Sequence, residues 1–226
     1  MKIEHPSNNL YLIKVSLFLS ITLLACFYFI RGGHQPANSD ISGSFPGLMI
    51  AGGKSIYFSG LQFILFTFSL FVANPKFNLM IESAIVIAIT QTLFFLLTIN
   101  GVITINNFIV EMLVAIGIAG VLVDNVYSVK IKRPRIGFSI AFSIVYGIWL
   151  ANQFKSNGIT AAYALENLIA INAGIIIAQL SVVILAFFLF GKLLADNNRY
   201  RGFVVMPFTF VSFLATGYLL YLQFLS

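Results

Sequence analysis

The sequence has almost no material for disulfide or transition-metal chemistry. Cys26 is its only cysteine, which excludes intramolecular disulfides and zinc sites built from clustered cysteines. There are two histidines, His5 and His34, and both lie outside the long apolar stretches, so no imidazole is expected inside a membrane. That argues against a conventional nickel, cobalt or zinc site, which favours imidazole or thiolate ligands. Charged residues make up only 9% of the chain while hydrophobic residues make up 59%, which leaves no polar exterior for a soluble domain. Nor is there a Gly-x-Ser-x-Gly sequence or a pair of carboxylates within one apolar stretch. Neither an activated nucleophile nor a metal-bound water can be assembled from such a set, and no enzymatic activity is expected.

What the chain does have is apolar length. Residues 10–30, 56–73, 79–98, 105–123, 137–154, 168–190 and 203–224 are each close to the roughly 20 residues a bilayer-spanning helix needs. The expectation is an all-α polytopic membrane protein of about seven transmembrane helices. Residues 1–30 would form an N-terminal signal anchor, 31–44 an external linker rich in Gly, Ser, Asn and Pro, and 45–226 a six-helix bundle. Phe45 begins a mildly apolar approach to the first helix of that bundle. The first stretch also resembles an export signal. Leu23-Leu24-Ala25-Cys26 is similar to a lipoprotein cleavage site, but Phe27 to Ile30 continue apolar where a mature lipoprotein turns polar. An uncleaved anchor is expected, with cleavage and lipidation at Cys26 as the alternative.

Seven spans place Lys2, Lys14, Lys76, Lys130, Lys132, Arg133, Arg135, Lys192, Arg199 and Arg201 on one side, and Arg31, Lys54 and Lys155 on the other. Ten of the 13 basic residues on one side is the bias of cytoplasmic loops, so the N-terminus is expected to be cytoplasmic and the C-terminus external. The net charge of +6 needs no nucleic acid, because topology and anionic headgroups explain the cluster at 130–135. The expected partners are the bilayer and either another membrane protein or a second copy of the chain. No cofactor is implied.

Polar groups within the spans are the candidate functional residues. Glu82, Asp124 and Glu166 lie near span ends, where carboxylates are solvated. Glu111 falls about six to eight residues inside its stretch, and an ionisable group at such depth is a functional hypothesis against the alternative of a hydrogen-bonded structural Glu. Gln62, Gln91, Asn125, Tyr146, Asn152, Gln153, Asn172 and Gln179 also lie in or at the ends of spans. In hydrocarbon, amides need partners and generally face other helices. Asn172, Ile176 and Gln179 share one helix face, with Ala173, Gly174 and Ala178 beside them for close helix approach. A polar seam of Gln62, Gln91, Glu111, Tyr146, Asn172 and Gln179 is therefore the candidate solute path, with interhelical hydrogen bonding as the structural alternative. Trp149 is too deep for an interfacial belt and is expected to fill space beside Tyr146.

The order of these residues resembles the HupE/UreJ family of bacterial membrane proteins, permease-like proteins associated with nickel or cobalt uptake. Gly60-Leu61-Gln62-Phe63-Ile64-Leu65-Phe66 is similar to the family's Gly-x-Asp-His-Ile-Leu-Phe, and Ala88-Ile89-Thr90-Gln91-Thr92-Leu93 to its Ala-His-Ser-Ile-Thr-Leu. Val110-Glu111-Met112-Leu113-Val114-Ala115 matches a Val-Glu-x-Leu-Ile-Ala segment, and Asp124-Asn125 stands for a Glu-Asn pair. Residues 142–151, around Tyr146-Gly147, echo Phe-Gly-Leu-Leu-His-Gly-Leu-Gly-Phe-Ala, and residues 171–180 resemble Phe-Asn-x-Gly-Val-Glu-Leu-Gly-Gln-Leu. The resemblance covers roughly residues 55–190 and implies a bacterial inner-membrane location. It also implies a metal or proton site at the positions of Gln62, Phe63, Ile89, Tyr146 and Ile176, each of which lacks the charge or imidazole of the family pattern. Gly60, Glu111, Asn125, Gly147, Asn172, Gly174 and Gln179 are retained. The metal site is thus expected to be dismantled and the scaffold kept. An accessory or scaffold subunit is the first functional expectation, and a permease of altered specificity the second.

Overall fold

The longest apolar stretches are helical because a backbone in hydrocarbon must satisfy its hydrogen bonds within its own segment. The computed structural model describes residues 44–73, 76–127, 135–159, 165–194 and 200–225. Among them lie seven α-helices and no strand: α1 (Phe45–Lys54), α2 (Leu61–Val72), α3 (Phe77–Ile99), α4 (Asn107–Tyr127), α5 (Ile136–Ser156), α6 (Leu165–Ala186) and α7 (Met206–Leu225). Helix α6 continues as a π-helical turn over Phe187–Leu194, and Arg201–Val205 forms another before α7. The expected anchor at 1–30 and linker at 31–43 lie outside the described residues.

Five helical segments are long and apolar enough to cross a membrane, each within a few residues of its expected stretch. The expected single span at 56–73 is instead a broken pair: Phe45–Tyr57 and Leu61–Val72 meet at an angle of 63°. Helices α1 and α2 have 10 and 12 residues, so they rise ~15 and ~18 Å and each crosses only about half of a ~30 Å hydrocarbon layer. The break falls at Gly60, whose φ of −91° and ψ of 27° leave the helical region. A Cβ at Gly60 would lie 2.4 Å from the Ile56 carbonyl oxygen, so the bend requires glycine. Pro46 begins α1, where its missing N–H costs nothing. Gly52, Gly53 and Lys54 read as a connector in the sequence. They are helical because α1 lies directly on α6: a Cβ at Gly52 would come within 2.1 Å of the Ile171 carbonyl oxygen, and one at Gly174 within 1.8 Å of the Met49 carbonyl oxygen.

A second close crossing joins α5 to α3, where a Cβ on Gly147 would lie 2.6 Å from the Gln91 carbonyl oxygen. On α4, Gly117 and Gly120 instead receive the rings of Phe142 and Phe138 of α5. The outward surface is apolar, with Ile81, Ile85, Ile89 and Leu93 exposed at four-residue intervals along α3. That is the surface a lipid environment calls for.

Each end of the bundle is closed by backbone capping. At one end Gly101 (φ 78°) and Gly158 (φ 84°) terminate α3 and α5. Val102 N–H donates to the Leu97 carbonyl (3.0 Å) and Ile159 N–H to that of Phe154 (3.0 Å), the Schellman pattern that only an αL residue permits cheaply. The buried Ile159 supplies the accompanying apolar contact. Asn106 caps α4, its Oδ1 accepting from Phe108 N–H at 2.9 Å. Replacing Asn106 with alanine should lower stability by about 1 kcal/mol. Thermal unfolding in detergent checks it, and an unchanged midpoint would show that water caps the helix equally well.

At the other end the last carbonyls of two helices find side chains. Tyr200 Oη donates to the Val72 carbonyl at 2.7 Å and Arg201 to the Val126 carbonyl at 2.8 Å. Asn125 Nδ2 donates to the Ser69 carbonyl at 2.8 Å, tying α4 to α2, while its Oδ1 accepts from Arg135 at 2.5 Å. Arg135 also pairs with Asp124 at 2.5 Å. Burial pulls the Arg135 pKa below its ordinary value, and the Asp124 charge works against that shift.

Candidate functional site

A column of rings runs through the largely aliphatic interior. Phe66 stacks on Phe142 with centroids 3.6 Å apart, Phe142 on Tyr146 at 5.3 Å, and Tyr146 on Trp149 at 5.3 Å, while Phe63 tilts against Tyr146 at 5.4 Å. Three of these rings recur along α5 at positions 142, 146 and 149, one helix face, so the column follows from spacing alone. Trp149 fills the space beside Tyr146, as its depth in the sequence suggested.

Beside this column lies the amide cluster. Gln179 Nε2 of α6 donates to Gln91 Oε1 of α3, and Asn172 Nδ2 donates to Thr92 Oγ1 at 2.8 Å. The predicted common face of Asn172, Ile176 and Gln179 is real: the two amides are buried, and Ile176 lines a cavity with Gln179 and Phe63. Thr92 was not foreseen as a partner, although it lies within the segment around Gln91 that carries the family resemblance. Gln62, on the first turn of α2 just beyond the Gly60 break, is buried with its Oε1 unpartnered. Tyr146 is fully buried and its Oη has no hydrogen-bond partner among the described residues.

Two positions differ from the sequence reading. Glu111 stands four residues after the start of α4, because 103–106 form a non-helical approach ending in the Asn106 cap. It is half-buried and engaged by its surroundings, at a depth of about one helical turn. A carboxylate near a helix N-terminus is stabilised by the helix dipole, which gives Glu111 an ordinary structural reason. Ile89 does not enter the interior at all: it is 66% exposed on the outward face of α3. The inward positions of that turn are Ile87 and Gln91, with the partly buried Ala88 beside Ile87 at the cavity.

The glycines of the resemblance have packing duties. Gly147 and Gly174 are the two points at which helix backbones meet, and Gly60 makes the bend. Among the described residues no group of three His, Cys, Asp or Glu side chains converges.

Membrane-length helices, an apolar exterior, a broken span and buried amides between helices together define an all-α polytopic membrane protein of permease-like build. A family model described as HupE / UreJ protein matches residues 35–222. The chain belongs to that family. The match begins upstream of the resemblance traced through motifs and takes in all of α1. No curated protein and no solved structure matches the chain.

Proposed function

We propose that the protein is a non-transporting accessory or scaffold subunit of a bacterial inner-membrane complex, with no catalytic activity of its own. In this reading the N-terminus is cytoplasmic and the C-terminus external, following the basic residues. Residues 1–30 anchor the chain and 31–44 link that anchor to the bundle. The carrying observation is the filling of the interior at Phe63, Tyr146 and Ile176, three of the five positions where the family pattern has ionisable or imidazole groups. Phe63 and Tyr146 form part of a ring stack, and Ile176 closes a cavity of only ≈ 10 Å³. A divalent cation there would meet amide and phenol oxygens without the anionic charge that offsets its dehydration. What remains is a rigid bundle with a large apolar exterior for a partner helix.

Reconstitution into liposomes holding a metal-sensitive dye tests the reading. Nickel and cobalt entry should equal that of protein-free vesicles, and a stoichiometric protein partner should co-purify in nanodiscs. Metal entry above the vesicle background would overturn it. A second reading, a permease for a small neutral solute, draws on the buried amide atoms without partners at Gln62, Gln91, Asn172 and Gln179. Solute flux abolished by Gln91→Leu would favour that reading.

A further inference from the structure

Lys54 carries a charge where a bilayer offers nothing to hold it. It is the last residue of α1 and follows Gly53, whose backbone meets α6: a Cβ on Gly174 would lie 3.0 Å from the Gly53 nitrogen. One turn later, Tyr57 Oη shares a hydrogen bond with Ser181 Oγ of α6. Gly174 and Ser181 lie ~14 and ~24 Å along α6 from Leu165, in a helical crossing that runs ~40 Å to Gly191. Lys54 is bracketed between them, so its backbone stands near mid-depth and not in an external connector. Its side chain is exposed on the outer face of α1 and, among the described residues, has neither an ion pair nor a hydrogen bond. A charge at that depth is costly unless it is paired or reaches water, and it marks a functional position by default.

Neither this chain nor a second copy in the same orientation supplies a carboxylate at that level. Of the seven acidic residues, Glu4, Asp40 and Asp196 fall outside the apolar stretches. Glu82, Asp124 and Glu166 stand near the ends of α3, α4 and α6, and Glu111 is one turn into α4. Around Lys54 the surface suits a helix. Ile50 and Tyr57 share its face of α1 at helical spacing and are 57% and 41% exposed. The Tyr57–Ser181 bond ties that face to an exposed apolar row on α6, formed by Ile177, Leu180 and Ile184. We propose that this face docks a transmembrane helix of a partner protein, and that an Asp or Glu near the middle of that helix pairs with Lys54. The proposal rests on the accessory-subunit reading and gives the chemistry of the partner. Opposite charges sealed between helices withdraw each other from hydrocarbon, and a helix without the carboxylate is rejected.

Photo-crosslinking of the full chain in its native membrane tests the surface, with benzoylphenylalanine replacing Ile50, beside Lys54, or Ile89 on the outward face of α3 as the control. Position 50 should give a protein adduct that position 89 does not, and mass spectrometry should place the cross-link in an apolar stretch with a central Asp or Glu. In Lys54→Leu the adduct should fall about tenfold or more, while Lys54→Arg should keep it, because the pairing needs the charge. Exchanging the charges, Lys54→Glu with a lysine at the partner's carboxylate, should restore it. Lys54→Leu should melt in detergent no lower than the native protein, since no bond of the bundle depends on Lys54; a variant that fails to fold would overturn the proposal. Lipid adducts alone at position 50 would also overturn it and would mean that the ammonium reaches external headgroups. So would an adduct with a second copy of this chain, with a segment that lacks a carboxylate, or one indifferent to Lys54→Leu. Lipid adducts alone leave the accessory-subunit reading standing, whereas metal entry into liposomes overturns that reading whatever position 50 captures.

Discussion

Gly174→Ala should be the most damaging single-methyl change in the molecule. The added Cβ would lie 1.8 Å from the Met49 carbonyl oxygen and 3.0 Å from the Gly53 nitrogen, both backbone atoms of α1. A side chain in that position could rotate away, but a carbonyl inside a helix cannot move without moving the helix. Overpacking a core ordinarily costs about 1–3 kcal/mol, and a backbone-to-backbone clash belongs at or above the top of that range. The consequence reaches beyond α1, because α1 is joined to α2 in a bent pair and rests on α6 at this point. Gly217→Ala is the matching control: nothing lies within 4 Å of its would-be Cβ, and alanine is the better helix former. The chain has a single tryptophan, Trp149, stacked in the ring column, so its fluorescence reports unfolding of the bundle. Heating in one detergent should show Gly174→Ala unfolding far below the native protein and Gly217→Ala unfolding at or slightly above it. If the two variants melt together, the α1–α6 crossing is not as close as described.

That crossing also marks where the sequence could be read and where it could not. Long apolar stretches announce helices whatever their neighbours do, because the bilayer imposes both length and composition, and five of the expected spans stand within a few residues of their places. Helix α1 was invisible on the same grounds: ten residues containing a proline and three glycines have poor helix propensity, and only contact with α6 makes them helical. In the candidate site, spacing alone identified the shared face of Asn172, Ile176 and Gln179. Spacing cannot say which residue on another helix answers each amide, and so Thr92 went unnoticed beside Gln91. Glu111 looks deep when its apolar stretch is begun at Ile105, whereas the Asn106 cap starts the helix at Asn107. Burial on one helix face also separates Gln91 from Ile89, a distinction that a motif comparison without coordinates does not make.

Arg135→Met should cost about 2–3 kcal/mol, between the small worth of an exposed ion pair and the larger penalty for breaking a buried one, because Asp124 is 29% exposed. The guanidinium side chain is 7% exposed and pairs with Asp124, which is 29% exposed, while also donating to Asn125 Oδ1. Without Arg135 the carboxylate of Asp124 loses this ion pair and is left with its remaining contacts in a partly exposed place. Asn125 loses its acceptor contact, although its Nδ2 bond to the Ser69 carbonyl can persist. This effect should be separable from any change of topology, because Lys130, Lys132 and Arg133 keep the connector strongly basic. Adding Asp124→Leu to Arg135→Met should recover most of the loss, since an apolar pair avoids the desolvation that a lone charge suffers. The two single variants and the double variant form a cycle whose non-additivity measures the pair directly. A double variant that melts below Arg135→Met would mean that Arg135 acts mainly through Asn125 and the α2–α4 contact, and that the ion pair itself contributes little.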